Sequence, residues 1–588
     1  MALKCGIEIH QRLDTGKLFC NCYANPSADG TGAGGGKTLI VRRMRAVAGE
    51  MGGVDAAAGF EARKAREYGY EAPSDSSCLV ECDEAPPFGI NREAVAIALG
   101  IALALHCKPV EELHVMRKTV LDGSAISGFQ RTALLATDGH IDTSQGRVGI
   151  QSVCVEEESA GILGKNRFRL DRLGIPLVEI ATDASIKSGS HCRETAEAIG
   201  LLLRGARIQR GLGSIRQDVN VSIDGGSRVE IKGAQELSAL DGMVGNEVVR
   251  QEALVALKEK LGGTKQDGKI TDVTKEASAL KLRGRVVGVK LRGLAGLLKT
   301  ELYAGKRLGS ELADYARAQG AGGIMHSDER DDAAIGKALG CKKGDAWAVC
   351  AGEDAEPALE AVLGRAQLLS RCVPEETRRA DGDGSAFMRP LPGSARMYPE
   401  TDVPLLLLKE IVPEKIQPVA KRLELFEKIG LNDDLSKKML RSQHSRVFEE
   451  NAGVDAMFVA TTLLETLRNI GREGAPVKTL TDGAFREFFA AYDEGMFVRA
   501  AAAGILKEMA NAKTGVAGAV EKLGLRRMTK AELKEAAKAD GTFEEMMRKY
   551  RLRADPAELK EAVGRRPTGC IPRLDARRSE RHTKGCSE

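Results

Sequence analysis

The chain has 588 residues and a formal net charge of +4, with 87 Lys and Arg against 83 Asp and Glu. That length predicts three or four domains with sizeable cores. The near balance of charge excludes a global basic field, so nucleic-acid binding has to be judged patch by patch. Aromatic residues make up 4% of the chain, which argues against base recognition through many stacking side chains. Thirteen scattered cysteines with no secretory leader before them read as reduced thiols of a cytoplasmic protein.

The first patterned stretch is Gly6-Ile7-Glu8-Ile9-His10. As a strand it puts Ile7 and Ile9 on one face and Glu8 and His10 on the other. The two polar groups could hold a divalent cation or pair as acid and base; an ordinary half-buried strand with a solvated face is the alternative. Cys20 and Cys22, with Cys78 and Cys82 much later, could make a tetrahedral Zn²⁺ site. The C-x-C and C-x-x-x-C spacings are less usual than C-x-x-C, so plain reduced cysteines are the favoured reading. Between them, residues 30–38 run Gly-Thr-Gly-Ala-Gly-Gly-Gly-Lys-Thr. This lacks the preceding apolar strand of a phosphate loop and reads as a flexible glycine-rich loop.

Residues 94–105 form the longest apolar run, too short for a bilayer, and predict a buried helix. The polar loop from Gly123 to Thr132, flanked by Arg117, Lys118 and Arg131, suits phosphate or a nucleic-acid end, or is a plain surface loop. A strand at 148–155 runs into Glu156-Glu157-Glu158. Further strands carry Glu179, then Arg216, Asp218 and Asn220, then Arg228, Glu230 and Lys232, each set on one face. Mixed charges converging on a concavity suit Mg²⁺ with polyphosphate; an antiparallel sheet wetted on one side is the equal alternative.

Several of these stretches together resemble the B/E subunits of the tRNA-dependent amidotransferases, best of all the archaeal E type. They are Gly6 to His10, Lys17-Leu18-Phe19-Cys20, Leu173 to Ile180 and Arg216 to Ser222. The signatures Ser127-Gly128-Phe129-Gln130-Arg131-Thr132, Glu230-Ile231-Lys232-Gly233-Ala234-Gln235-Glu236-Leu237 and Met388 to Asp402 extend the likeness over nearly the whole chain. The resemblance implies a cradle-like first domain for ATP, Mg²⁺ and the aminoacylated 3′ end of tRNA. By position, Glu8, His10, Glu157 and Glu158 would serve the metal and phosphoryl transfer. Ser159 stands where the family usually has aspartate, which leaves open the acid of the run that does the work. Arg216 and Lys232 are catalytic candidates, and Asp218, Glu230, Glu179, Ser127 and Arg131 are candidates for binding the nucleotide.

The resemblance also implies an insert shared with bacterial-type aspartyl-tRNA synthetases, over 267–372, and a mobile tail domain. The expected fold is α+β: a cradle with a mixed or antiparallel sheet, an inserted α/β domain, a helical bundle and a small helical tail. The expected boundaries are 1–266 and 373–404 for the cradle, 267–372 for the insert, 405–527 for the helices and 528–588 for the tail. Residues 405–428 have helical spacing broken by Pro413 and Pro418. In the tail, Arg548, Lys549, Arg551 and Arg553, with the basic residues from Arg565 to Lys584, read as a tRNA-backbone surface, and the chain past Pro567 reads as disordered.

The implied reaction is ATP-dependent activation of the glutamyl γ-carboxylate of Glu-tRNA(Gln), then attack by ammonia. No Ser-x-x-x-Lys amidase arrangement and no asparaginase-like threonine signature is found. Ammonia is therefore expected from an asparaginase-like glutaminase partner, the D-type member of a hetero-oligomer. The alternative is a tRNA-binding subunit without chemistry.

Overall fold

The computed structural model describes residues 2–24, 37–48, 52–211, 213–330, 332–399 and 401–564. The glycine-rich stretch 30–36, Glu400 and the basic residues from Arg565 onward lie outside them. Two compact units divide the chain, Met1–Lys421 and Arg422–Glu588. Among the described residues they are α+β together, with open sheets confined to the first.

An 11-stranded sheet organises the first unit. Its strands are β1 (Leu3–Arg12), β2 (Val115–Thr119), β3 (Phe129–Thr143), β4 (Gly146–Glu157), β5 (Pro176–Thr182), β6 (Ile215–Ile223), β7 (Val229–Lys232), β8 (Glu376–Asp381), β9 (Gly384–Pro390) and β10 (Met397–Tyr398). They run in the order β9-β8-β7-β6-β1-β5-β4-β3-β2-β10, and the short strand Lys108–Pro109 pairs with β3. Only β7 and β8 pair in parallel; all other neighbours are antiparallel. β1 sits mid-sheet, where period-two alternation gives it one apolar and one polar face.

The apolar face of the sheet is covered by α1 (Arg92–Ala104), α2 (Gly189–Leu203) and the start of α3 (Leu240–Leu261). Ile7 and Ile9 are at most 1% exposed, and each buried side chain of this size contributes roughly 1.5–3 kcal/mol. Local signals start both of the first two covering helices: the Asn91 carboxamide oxygen accepts from Glu93 and Ala94, and Ser188 Oγ from His191. Gly6 lets β1 close on the end of β5, because a Cβ there would lie 2.8 Å from the Asp183 carbonyl oxygen.

A second sheet, Lys37–Arg43, Glu67–Pro73, Arg167–Arg169 and Gly161–Gly164, packs Tyr68, Tyr70 and Phe168 into a separate small core. In the insert, Thr271–Asp272, Val286–Leu291, Met325–His326 and Ala346–Ala351 pair throughout as antiparallel strands. Helices α4 (Leu308–Ala318) and α5 (Ala355–Leu369) accompany them. The expected α/β insert is thus α+β: its strands neighbour one another without the parallel crossovers of a βαβ unit.

The segment after Pro404 also differs from expectation. Leu406–Leu407 is a strand paired with Glu112–Leu113, Leu408–Glu410 is a 3₁₀ turn, and helix starts only at Val419, past both prolines. In the second unit every regular element among the described residues is helical. Met528, Leu533, Met546, Ala554 and Leu559 form a small core of their own near its end.

Candidate active site

The polar face of the large sheet is built by register. His10 lies opposite Glu179 on β5 and Arg216 on β6, Glu8 opposite Asp218, and Glu230 opposite Thr377 on β8. His10 Nε2 lies 3.3 Å from Glu8, 3.4 Å from Glu156 and 3.2 Å from Glu179. Lys118 Nζ on β2 reaches Glu156 at 3.2 Å and Glu179 at 3.1 Å. Lys232 Nζ stands 2.8 Å from both Asp218 and Glu230. Carboxylates thus alternate with cations across adjacent strands.

Burial, with Glu179 close by, pushes Glu8 up to about 7 against the pull of His10, Lys232 and Lys118. Burial alone would depress His10, but the hydrogen bond with Glu179 and the charges of Glu156, Glu179 and Glu8 carry it up to about 9. Glu179 is held well below the usual range: burial opposes this, and Lys118 and His10 outweigh it. An imidazolium and an ammonium therefore hold a knot of carboxylates together.

Donor atoms of His10, Glu156 and Glu179, and likewise those of Glu8, His10 and Asp218, lie within 4.8 Å of one another. An oxygen-rich set with one imidazole fits a hard divalent cation such as Mg²⁺. The acid of the 156–158 run that joins this group is Glu156. Strand alternation turns Glu157 away, where it accepts from the Arg131 amide at 2.9 Å. Glu158, past the strand end, is completely buried and held by Arg12 at 2.7 Å, Arg216 at 2.6 Å and Arg172 at 3.5 Å. Those guanidiniums overcome burial and keep its carboxyl below the usual range.

Ser127 and Arg131 are brought together elsewhere, around a crevice shared with Phe19, Glu81 and Glu157. Arg131 pairs with Asp402 through Nη2 at 2.8 Å and Nε at 3.2 Å, and its guanidinium lies 5.5 Å from the Phe19 ring centre. The cysteine expectation changes in one member. Cys20, Cys22 and Cys78 cluster with Glu81, and Cys82 is not in the group. Cys82 follows Cys78 by one turn, its amide bonding the Cys78 carbonyl at 3.2 Å, and it packs into the small apolar core. Glu81 also lies 3.2 Å from the buried Lys17 ammonium, and burial pushes the Cys22 thiol up to about 11.

Residues that sequence reasoning left out of the site are Lys118, Arg12 and Thr377. Arg117 and Lys118 are adjacent on a strand of five residues, and only the register of β2 against β3 shows that Lys118 is the one facing Glu156. In the tail, helix Phe543–Tyr550 carries Arg548 and Lys549, whereas Arg551 and Arg553 lie past its end, so the four are not on one helix face.

Residues 3–414 match the GatB/GatE catalytic domain, and the chain belongs to that family. It is 40% identical to the E subunit of the glutamyl-tRNA(Gln) amidotransferase of Methanothermobacter thermautotrophicus, over 91% of this chain and 90% of that one. It is 41% identical to the E subunit of Aeropyrum pernix, over 96% and 97% of the two chains, and 41% identical to that of Methanocaldococcus jannaschii, over 86% of each. Among the described residues no helix is long and apolar enough to cross a membrane.

Proposed function

We propose that this chain is the activating subunit of a cytoplasmic tRNA-dependent amidotransferase that turns Glu-tRNA(Gln) into Gln-tRNA(Gln). The observation that carries the reading is the convergence of Glu8, Glu156 and Glu179 on His10, flanked by Lys118 and Lys232. The glutamyl γ-carboxylate attacks the γ-phosphorus of ATP and ADP departs. Ammonia then attacks the acyl carbon and phosphate leaves, because phosphorylation has made an oxygen a competent leaving group.

Glu8, His10, Glu156 and Glu179, with Asp218, would hold Mg²⁺ once His10 gives up its proton. Mg²⁺ bound there would screen the charge of the transferring phosphoryl. Lys232, kept cationic by Asp218 and Glu230 against the effect of burial, offers an ammonium to phosphate oxygens. Arg216 can do the same where its guanidinium, 39% exposed, leaves Glu158 for the open face. Ser127 and Arg131, in their separate crevice, are assigned to the nucleotide. Ammonia comes from a D-type asparaginase-like glutaminase partner.

The test uses the purified full chain with Glu-tRNA(Gln), ATP and Mg²⁺. Ammonium should support amidation by the chain alone, glutamine only with the glutaminase partner present, and ATP turnover should require Glu-tRNA. Binding of tRNA without ATP turnover would make the chain a non-catalytic binding subunit, and glutamine use by the chain alone would reveal a missed catalytic centre.

A further inference from the structure

The helical second unit holds a pocket of about 510 Å³ that the proposed chemistry does not use. Its floor is apolar: Leu435, Leu463, Leu467 and Val477 line it, and Leu463 and Leu467 are buried. Its rim is cationic: Lys438, Arg441, Arg468 and Lys478 line it with exposed side chains. Glu465 is the carboxylate among the lining residues. Lys438 is paired with Asp434 at 2.6 Å, and no salt bridge to a described residue engages Arg441, Arg468 or Lys478. The four cations come from three segments: Lys438 and Arg441 from helix Asp433–Arg441, Arg468 from helix Leu467–Arg472 and Lys478 from the turn Val477–Thr479.

One wall is a five-residue π turn, Thr462–Thr466, leading directly into the helix that carries Arg468. Such turns, with i→i+5 bonding, are rare and occur frequently at functional sites. Here the turn presents Leu463 and Leu464 to the pocket.

An apolar floor inside a cationic rim matches a flat ring with phosphates on either side. We propose that this pocket takes one unstacked nucleotide of an RNA, its base against the leucine floor and its flanking phosphates on Lys438, Arg441, Arg468 and Lys478. The inference rests on the reading of tRNA as the substrate and adds a place where an unpaired residue of that RNA is captured. The volume lies within the range that encloses small ligands, and splayed-out single bases are what proteins read on folded RNA. A lone carboxylate or phosphorylated side chain would neutralise one cation and leave the others facing each other, so an acidic peptide fits less well.

The experiment measures binding of deacylated tRNA(Gln) transcript to the full chain across a salt series, so its outcome is independent of any amidation. In Arg441→Ala/Arg468→Ala/Lys478→Ala, affinity should fall and the salt slope should flatten by about 2 to 3 units. In Leu464→Trp, which fills the pocket without changing charge, affinity should fall about tenfold with the slope kept. Melting temperatures of both variants monitor the fold, and Leu464→Ala serves in place of the tryptophan variant should that one not fold. Parental affinity in the charge variant overturns the proposal. Loss in the charge variant with none in the filled pocket also overturns it, since the rim would then hold backbone without capturing a base. A salt-dependent loss of an acidic polypeptide probe, with tRNA binding intact, would assign the pocket to a protein instead.

Discussion

Thr377 donates its hydroxyl to Glu230 Oε2 at 3.0 Å and is itself completely buried. Glu230 presents its other oxygen to Lys232 at 2.8 Å, so the threonine fixes the carboxylate that fixes the ammonium. The neighbours of Thr377 on β8 point the opposite way. Glu376 and Arg378 join Arg250, Glu247, Glu311 and Arg365 in a fully buried charge cluster shared with the insert helices α4 and α5. One strand therefore serves the candidate active site with one face and anchors the insert with the other.

Thr377→Val keeps the shape of the side chain and removes the donor. It should lower kcat about tenfold, the effect of about 1.4 kcal/mol lost at a buried carboxylate, and leave the KM for tRNA unchanged. Thr377→Ser should restore most of the loss. A fall in stability with kcat intact would reduce Thr377 to a packing residue.

Glu8→Gln and Glu156→Gln should each cut ATP-dependent activation by about 100-fold or more and raise the Mg²⁺ concentration needed, with tRNA binding retained. Glu157→Gln, whose carboxylate faces Arg131 instead, should leave the Mg²⁺ requirement unchanged. The reverse pattern would move the metal to the crevice beside Arg131.

The face of β1, the one-sided sheet and the buried helix at 94–105 were legible because a period of two or a continuous apolar run signals each of them. The choice among Glu156, Glu157 and Glu158 was not, since three identical residues carry no phase and the register of β4 against β5 decides it. Lys118 and Thr377 were hidden for a related reason: each faces its partner only through strands distant in sequence. The antiparallel insert escaped because short strands such as Met325–His326 have too few residues to declare a direction. Glu81 took the place expected for Cys82 because both positions lie within a turn of Cys78, and spacing alone does not show which side chain points inward.

The buried cluster predicts acid sensitivity. Burial would raise Glu311, but Arg250, Arg378 and Arg365 hold it far below the usual range. Lys232 and Thr377 likewise hold Glu230 at about 2 against burial, from an ordinary value of 4.5. Depressed carboxylates stabilise the fold above their unfolded pKa, and that stability is lost as pH falls through the folded one. The melting temperature should therefore fall steeply from about pH 5 towards pH 2, while the raised Glu8 and His10, at about 7 and about 9, give a shallower decline as pH rises through those values. Glu311→Gln should cost roughly 3–5 kcal/mol at neutral pH, by taking the carboxylate from the buried Arg365 guanidinium and one of the carboxylates that hold Arg250 and Arg378. Calorimetry across this range checks both, and an unchanged melting temperature at pH 3 would contradict the assignment.

The tail distinguishes its basic residues by what already holds them. Lys549 is paired with Asp540, and Arg553 Nε donates to the Arg526 carbonyl at 3.2 Å. Arg548 and Arg551 are exposed with no salt bridge to a described residue, so they are the pair available to a phosphate backbone. Met546 is completely buried in the small core of this region, which makes point substitutions safer than truncation there. Arg548→Ala/Arg551→Ala should raise the KM for tRNA and flatten its salt dependence by about 2 units, one for each phosphate no longer neutralised. Lys549→Ala should change the slope much less, because the lysine must first leave Asp540 to reach a phosphate. Turnover at saturating tRNA should stay close to parental in both, since the residues assigned to the chemistry lie on the large sheet of the first unit. A collapse of turnover with unchanged tRNA affinity would make these arginines part of the reacting machinery instead.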